Sequence, residues 1–559
     1  DLPDIVARVL AARDVGLDDA ESFLNPTLRD LLPDPAHLLD MAPAVERIIQ
    51  AINAGETIGV LGDYDVDGAT SSALLVRFFS ALGRKVPVYI PDRQKEGYGP
   101  NLPALLKLKE QGASVVITVD CGTTAYEPLE AAIAEGLDII VVDHHVAEAR
   151  LPGGCLVVNP NRIDESSICG QMAAVGVTFM LIVALNRALR DAYWYGEGHG
   201  EPDLRHWLDL VALGTICDVV PLVGVNRALV TQGLKIMAAR QNLGIAALAD
   251  VAGVDRPLDS YHAGFILGPR VNAGGRVGDS GLGVRLLTTS DTDEARSLAT
   301  RLDQYNRERQ EIEQGVLEGA MAQAEKQAEA GRAIIMVANE GWHPGVIGIV
   351  AGRLRERFDR PSCVIAIDNG IGKGSGRSVR GVALGPAVIA AHQTGLLVNG
   401  GGHAMAAGFT VEQDRLEELS AYLDDHVRRQ LGDTPPVGTL RFDGILNPAS
   451  ATPDIVETLD RAGPFGAGNS RPRFAIPQAR VVGADVVGKN HVRCNLTGAD
   501  GTGRLKAIAF RAADSALGAA LLGASGQPLH IAGNLRSDEW QGRVSAQLFI
   551  DDAAIAGNT

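Results

Sequence analysis

Between residues 57 and 160 the chain repeats one pattern: a short aliphatic run stops abruptly at polar residues, and a stretch with helical spacing follows. Thr57–Gly62 runs into Asp63-Tyr64-Asp65-Val66-Asp67-Gly68, Ser114–Val119 into Asp120-Cys121-Gly122, and Asp138–Val142 into Asp143-His144-His145, with Cys155–Val158 as a fourth run. Continuous apolar runs predict strands buried on both faces. After the first of them Leu74, Leu75, Phe78, Phe79 and Leu82 fall at amphipathic spacing, with Gly83 as a stop. Strands alternating with helices predict right-handed crossovers and a parallel sheet. In such sheets ligands bind just outside the carboxyl ends of the strands, where three successive strands of this chain deliver Asp and one adds a His pair.

Read as an extended segment, Asp63, Asp65 and Asp67 put three carboxylates on one side, and clustered carboxylates repel unless cations neutralise them. Alone, an Asp-x-Asp-x-Asp-Gly stretch is more simply a solvated turn capping the next helix; the two other strand ends argue for a site. A buried helix over 172–190 and another near 203–214 follow. The second leads into Cys217-Asp218-Val219-Val220-Pro221, which sets one more Asp in apolar surroundings. The apolar stretch Met172–Leu185 is shorter than the roughly 20 residues of a membrane span.

Gly268–Arg276 is expected to be a Gly-rich loop whose Arg270, Asn272 and Arg276 suit phosphate oxygens. Residues 291–330 contain no proline, with Ser290 or Asp291 available as N-cap, which predicts one helix about 60 Å long. That length fits a rigid spacer with a solvated, charged face. A second α/β pattern starts at Ala333. Within it Lys373, Ser375 and Arg377 sit in a glycine-rich stretch read as a basic loop, and Gly401-Gly402-His403 in another. Thr434-Pro435-Pro436 marks a linker, and short alternating strands to residue 559 predict a small β-barrel. Phe474, Phe510 and Trp540 are its candidate stacking surfaces, with a core role the competing reading.

Composition sharpens this picture in three places. A chain of 559 residues is too long for one hydrophobic core. Its 51 Lys and Arg against 68 Asp and Glu, a formal net charge of −17, argue against coating nucleic acid by bulk attraction, while residues 353–380 reverse the sign locally with seven basic and three acidic residues. Six scattered cysteines without a Cys-x-x-Cys pair fit a reducing compartment and offer neither a disulfide framework nor a zinc ribbon.

The series Asp-Tyr-Asp-Val-Asp-Gly, Val-Asp-Cys-Gly, Asp-His-His and Thr-Ile-Cys-Asp-Val-Val-Pro-Leu resembles the DHH phosphoesterase superfamily. Gly400–Gly408 resembles the glycine-rich signature of its associated domain, and the motif order with a terminal β module is most similar to the superfamily's single-strand-specific exonucleases. The resemblance implies an α/β architecture: a helical extension (1–55), a DHH parallel-sheet catalytic domain (56–285), a long connecting helix (286–331), a DHH-associated α/β domain (332–432) and an oligonucleotide-binding-like β-barrel (437–559). It further implies that Asp65, Asp67, Asp120, His144 and Asp218 ligate two metal ions, with Asp120 bridging, and that His145 contacts the scissile phosphate or polarises its environment. Many smaller members carry a histidine where this chain has Leu61, which makes Asp63 the candidate to supply the missing ligand.

The residue chemistry points the same way. Carboxylates with one imidazole suit Mn²⁺ or Mg²⁺, and two such ions about 3.5–4 Å apart activate a water and stabilise an in-line displacement. Asp143 is expected to orient the histidines from behind, with direct ligation the alternative. The implied reaction is 5′-to-3′ hydrolysis of single-stranded DNA to mononucleotides in DNA repair and recombination. The enzyme would be a cytoplasmic monomer without membrane contact, partnered by a single-strand-binding protein and a RecQ-type helicase. A superfamily phosphodiesterase of short oligoribonucleotides or cyclic dinucleotides is the alternative enzyme. A catalytically inactive scaffold of a replication complex is the alternative from another class.

Overall fold

Five strands form the first sheet: β1 (Thr57–Gly62), β2 (Val88–Tyr89), β3 (Ala113–Val119), β4 (Asp138–Val142) and β5 (Leu156–Val158). The computed structural model describes residues 2–556 apart from 94, 98, 197–199, 433–438 and 525. All pairings are parallel, in the order β2-β1-β3-β4-β5. Helices Met41–Ala54, Val66–Ala81 and Ala174–Asp191 pack Ile48, Phe78 and Leu181 on one face, while Leu105, Leu108 and Leu129 cover the other. This double covering is why the strands read as unbroken apolar runs. The two-residue β2 has no such run and was not anticipated. The chain steps outward from β1 to β2, then returns to lay β3, β4 and β5 on the other side. The crevice between the carboxyl ends of β1 and β3 is therefore the topological switch point.

Asp63, Asp65 and Asp67 do not form the expected extended segment. Asp65 is the N-cap of the helix Val66–Ala81, its Oδ1 accepting from the N–H groups of Asp67 (2.9 Å) and Gly68 (3.1 Å), and Asp67 lies in the first turn. Capping a bare helix N-terminus outweighs strand continuation here. Gly68 is needed for the close approach: a Cβ there would meet the backbone oxygen of Asp63 at 2.5 Å.

Gly268–Val277 is a helix, not the expected loop. The helix Thr292–Glu329 has the expected length and a solvated face carrying Arg296, Arg301, Arg307, Glu311, Glu318 and Glu325, but its opposite face is buried, so it is no free-standing spacer. Its first half packs Leu298 and Leu302 against Leu213 and Leu286, and its second half packs Val316 and Ala320 against Val350 and Leu354. Between these apolar patches Asp303, Asn306, Arg309 and Glu313 are buried. Arg270 bonds Asp303 at 2.9 Å, and Arg309 bonds Glu313 at 2.6 Å and Asn306 at 2.9 Å. The helix is thus a shared wall of both α/β units.

The second sheet contains β6 (Ile335–Glu340), β7 (Ser362–Asp368), β8 (Ile371–Arg377), β9 (Asn399–His403) and β10 (Ala406–Glu412), in the order β6-β7-β8-β10-β9. Both supposed basic loops are therefore strands over much of their length. Along β8 the alternation Gly372-Lys373-Gly374-Ser375-Gly376-Arg377 turns the glycines inward and the polar side chains to the other face. Phe409 packs so closely over Gly374 that a Cβ there would meet its ring at 2.2 Å.

The C-terminal module contains β11 (Gly444–Ile445), β12 (Arg473–Val487), β13 (His491–Thr497), β14 (Leu505–Ala509), β15 (Pro528–Trp540) and β16 (Arg543–Ile555). The sheet order is β11-β12-β13-β14-β16-β15, and β12 also pairs with β15, closing a barrel. Phe474 is in its core, whereas Phe510 is exposed and packs on Phe549 at 5.0 Å between ring centroids. The side chain of Trp540 and the linker Thr434-Pro435-Pro436 lie outside the described residues. The N-terminal extension divides: Val9 joins the barrel's core, while Met41–Ala54 packs on the first sheet.

β6 is an edge strand, and the long helix covers its open groups with two glutamines. Gln327 donates to the carbonyl of Met336 (2.7 Å) and accepts from its N–H (2.9 Å); Gln323 does the same at Ala338 (3.1 and 3.3 Å). Removing one glutamine leaves two half-buried backbone groups without partners. We expect Gln327→Ala to lower unfolding free energy by about 1–3 kcal/mol in urea denaturation, with Gln327→Glu recovering little because a carboxylate cannot donate.

Candidate metal centre

The carboxyl ends of β1, β3 and β4 gather the residues singled out in the sequence. Three sets of donor atoms each lie within 4.8 Å of one another: Asp63, Asp65 and Asp120; Asp67, His144 and Asp218; Asp120, His144 and His145. Asp120 and His144 each belong to two sets. Nε2 of His144 is 3.4 Å from Asp120 Oδ1, 3.6 Å from Asp218 Oδ2 and 3.8 Å from Asp67 Oδ2.

Each side chain is aimed by local backbone. Asp120 ends β3 in the left-handed region, φ 61°, with its N–H donating to the carbonyl of Val142 at 3.1 Å. This turn swings its carboxylate across the end of β4. Asp67 points into the N-terminus of the helix Ala174–Asp191, accepting from Ala174 (2.7 Å) and Val175 (2.8 Å), where the helix dipole favours an anion. Asp218 is the C-cap of the helix Leu208–Cys217, and Val219 after it has φ 61°. Such a conformation is strained for a β-branched residue.

Asp143 faces back into the protein. Its Oδ1 accepts from the N–H of His144 (2.8 Å), the N–H of His145 (3.2 Å) and Nδ1 of His145 (2.7 Å), and Oδ2 accepts from Thr123 (3.0 Å). Behind it Asn159 donates to the carbonyl of His145 at 2.8 Å and Asn161 donates to that of His144. Thr123, Asn159 and Asn161 were missed in the sequence. The signal available was the polar Asn159-Pro160-Asn161 just past β5.

Burial and mutual repulsion dominate the electrostatics. Burial, then Asp65 and its neighbours, pushes Asp120 and Asp63 well above the usual carboxylate range. Burial with Asp218 raises Asp67 to about 7, and burial with Asp65 raises Asp218 to about 7. At Asp143 burial is overcome by the hydrogen bond and charge of His145, which hold it far below that range. Burial opposes protonation of His145, but the bond to Asp143 wins and pushes it up to about 9.

The residues fit a divalent cation pair. His144 Nε2 and Asp218 Oδ2 are buried without a hydrogen-bond partner among the described residues, an arrangement that is costly unless a ligand joins them. Oxygen donors with a single imidazole match Mn²⁺ or Mg²⁺ rather than a soft ion. All six cysteines are free, and none belongs to a donor set among the described residues.

Beside this centre, and bounded by the second sheet, lies a cavity of about 320 Å³ lined by Tyr64, Arg93, Arg276, Lys373, Ser375 and Arg377. Burial and the nearby Arg93 lower the pKa of both Arg276 and Arg377. Such crowding of cations suits an anion. Tyr64 and Arg93, the latter 4.9 Å above the Tyr64 ring, were not anticipated. The other proposed substrate contacts do not line this cavity. Arg270 is ion-paired to Asp303, Asn272 accepts from the N–H of Val66 at 3.1 Å, and Gly401, Gly402 and His403 lie in β9.

A parallel sheet with a carboxylate and histidine cluster at its switch point, joined to a second α/β unit and a barrel, defines a phosphoesterase of the DHH type. The model of the DHH family, N-terminal domain, matches residues 57–215, that of the DHHA1 domain matches 330–429, and that of the RecJ OB domain matches 442–552. The chain is 37% identical over 98% of its length to the single-stranded-DNA-specific exonuclease RecJ of Dickeya dadantii, covering 96% of that protein. It is similar to RecJ of Thermus thermophilus crystallised in complex with Mn²⁺, with a TM-score of 0.79, 30% identity and coverage of 100% of this chain and 79% of that one. A second structure of that protein, in complex with Mg²⁺, gives 0.74 and 29% over 99% and 77% of the two chains. The chain belongs to the RecJ family of single-stranded-DNA-specific exonucleases. Among the described residues no helix is long and apolar enough to cross a membrane.

The raised carboxylates make a sign-definite prediction. Asp67 and Asp218 titrate near 7 when folded and at about 4 when unfolded. Their protonation therefore stabilises the metal-free fold fully below about pH 4, and this contribution is lost as pH rises through 7. In EDTA the melting temperature should fall between pH 5 and 8, and Mn²⁺ should raise it most at the upper end. A metal-free melting temperature that climbs over this range would contradict the assignment.

Proposed function

We propose that the chain is a metal-dependent exonuclease that hydrolyses phosphodiester bonds of single-stranded DNA from the 5′ end to mononucleotides. The observation that carries this reading is the placement of an anion-suited cavity beside a carboxylate and histidine centre. Asp63, Asp65, Asp67, Asp120, His144 and Asp218 are the residues that would hold two divalent ions. When bound, these ions supply a Lewis acid for the scissile phosphate and lower the pKa of an attacking water. Asp120 and His144, each shared by two donor sets, make the centre a unit, so loss of either is expected to affect both ions.

The chain's own groups do the rest. Asp143 anchors the imidazole of His145 through Nδ1 and keeps it protonated, which makes this imidazolium the candidate donor to a phosphate oxygen. Arg276, Ser375 and Arg377 offer donors to a terminal phosphate, and an end held there would present the next linkage to the metal centre. Such an arrangement supports release of one nucleotide at a time. The barrel, with Phe510 exposed, is the candidate holder of trailing strand.

An activity confined to single strands needs a source of them. A RecQ-type helicase that unwinds duplex and a single-strand-binding protein that keeps it open are the partners this reading implies. The enzyme would act in the cytoplasm as a monomer. A dinucleotide phosphodiesterase has no use for a terminal barrel, and an inactive scaffold has no use for a complete donor cluster.

End-labelled single-stranded and duplex oligonucleotides incubated with Mn²⁺ test the proposal. Wild type should release mononucleotides from single strands only, and Asp120→Ala should lose at least about 100-fold in rate while keeping its fold. Intact single strands after prolonged incubation would sink it. Arg377→Ala should raise KM for 5′-phosphorylated ends about 10-fold, the value of one charge-assisted hydrogen bond, while leaving Mn²⁺ binding unchanged.

A further inference from the structure

Asp218 is placed differently from the other candidate ligands. Those sit at strand ends or helix N-termini inside the first α/β unit, whereas Asp218 precedes a strained turn on its rim. Val219 is 69% exposed at φ 61°, so no side-chain burial holds it there. Within the first unit the N–H of Val219 donates to the carbonyl of Ile216 at 3.2 Å and Leu222 is buried in the core, and the segment is held from outside as well. The N–H of Leu222 donates to the carbonyl of Ala467, in the C-terminal module, at 2.8 Å. Pro221 lies against Gly468, where an added Cβ would meet its Cβ at 2.8 Å and its Cα at 3.1 Å; Gly468 itself has φ 69°. Asn226 donates to the carbonyl of Pro221 at 3.0 Å from the inner side.

The turn that contacts Pro221 and Leu222 is itself tightly held. Asn469, buried, donates to the carbonyls of Ala462 and Pro464 at 2.9 Å each and accepts from Arg13 at 2.8 Å. Arg13 reaches on to Asp443 at 2.8 Å. From the other side Arg227, 1% exposed, donates to the carbonyls of Ala462, Gly463 and Phe23 and stacks over the Phe23 ring at 3.8 Å. No carboxylate pairs with Arg227 among the described residues. A guanidinium buried without a counter-charge persists only where its surroundings over-determine it. Here those surroundings are the N-terminal extension, the helix Gly224–Ala238 and the C-terminal module at once.

We infer that the Gly466–Asn469 turn of the C-terminal module is a positioning element of the metal centre. It holds Val219–Leu222 in the conformation that aims Asp218 at His144. The inference rests on Asp218 being a metal ligand. Its consequence is that the barrel module contributes to metal affinity, in addition to any hold on DNA, and that displacing this turn loosens one ion.

Gly468→Ala in the full-length chain is the direct test, because it adds a methyl against Pro221 and strains a left-handed residue. Mn²⁺ binding is read by calorimetry, alongside thermal melting in EDTA and single-strand binding in EDTA. The variant should bind Mn²⁺ about 10-fold more weakly at one site, while melting cooperatively and binding single strands as wild type does. Adding Val219→Gly, which removes the strain at that residue, should restore much of the affinity; a merely structural defect would not be rescued there. If Gly468→Ala does not fold, Asn469→Ala, which loosens the turn without adding volume, carries the same expectation. Asp218→Asn separates the two layers of the argument. Wild-type Mn²⁺ binding by Asp218→Asn would remove Asp218 from the ligands. Weak binding by Asp218→Asn together with wild-type binding by a folded Gly468→Ala would overturn the positioning role alone.

Discussion

Mutual repulsion among Asp63, Asp65, Asp67, Asp120 and Asp218 is the constraint around which the first α/β unit is arranged. Brought together in a largely buried crevice, these carboxylates would push the site open: burial and then the neighbouring charges raise Asp63, Asp67, Asp120 and Asp218 above the usual carboxylate range. Backbone N–H groups answer part of that charge: Asp65 takes those of Asp67 and Gly68, and Asp67 those of Ala174 and Val175. His145, paired with Asp143, supplies one positive charge on the other side. What remains suits divalent cations, so the residues that would hold metal are also those that make the metal-free fold less stable.

The same requirement explains the surrounding architecture. A switch point between β1 and β3 opens the crevice, and the return to β4 delivers His144 opposite Asp120. The long helix then carries the second sheet to the rim, where β8 contributes Lys373, Ser375 and Arg377. The negative centre and the positive cavity lie side by side, and in the cavity Arg276 and Arg377 are crowded by burial and by the nearby Arg93. The C-terminal module returns to touch the first unit at Leu222, through a turn that lies outside its own barrel strands.

Much of this was legible along the chain. Apolar runs marked β1, β3, β4 and β5 because strands covered on both faces have no polar side to show. The α/β class and its terminal barrel follow from the same patterns. The strand-end residues exposed the centre because carboxylates and imidazoles are conspicuous after aliphatic runs. The alternation in Gly372–Arg377 was visible too, yet glycines at every second position read as a loop until Phe409 is seen to fill the space they leave.

The sequence by itself determined which side chains could meet cations, because a strand's end and a helix's start are local properties of hydrophobic period and capping chemistry. Tertiary structure alone decided how they meet. That Asp143 reaches Thr123, that Arg270 pairs with Asp303, and that Tyr64 and Arg93 join the basic cavity all depend on residues distant in the chain. So does the hold on Leu222 by Ala467, from the far end of the sequence. Periodicity reports what one element buries; it carries no record of which distant element arrives to be buried against it.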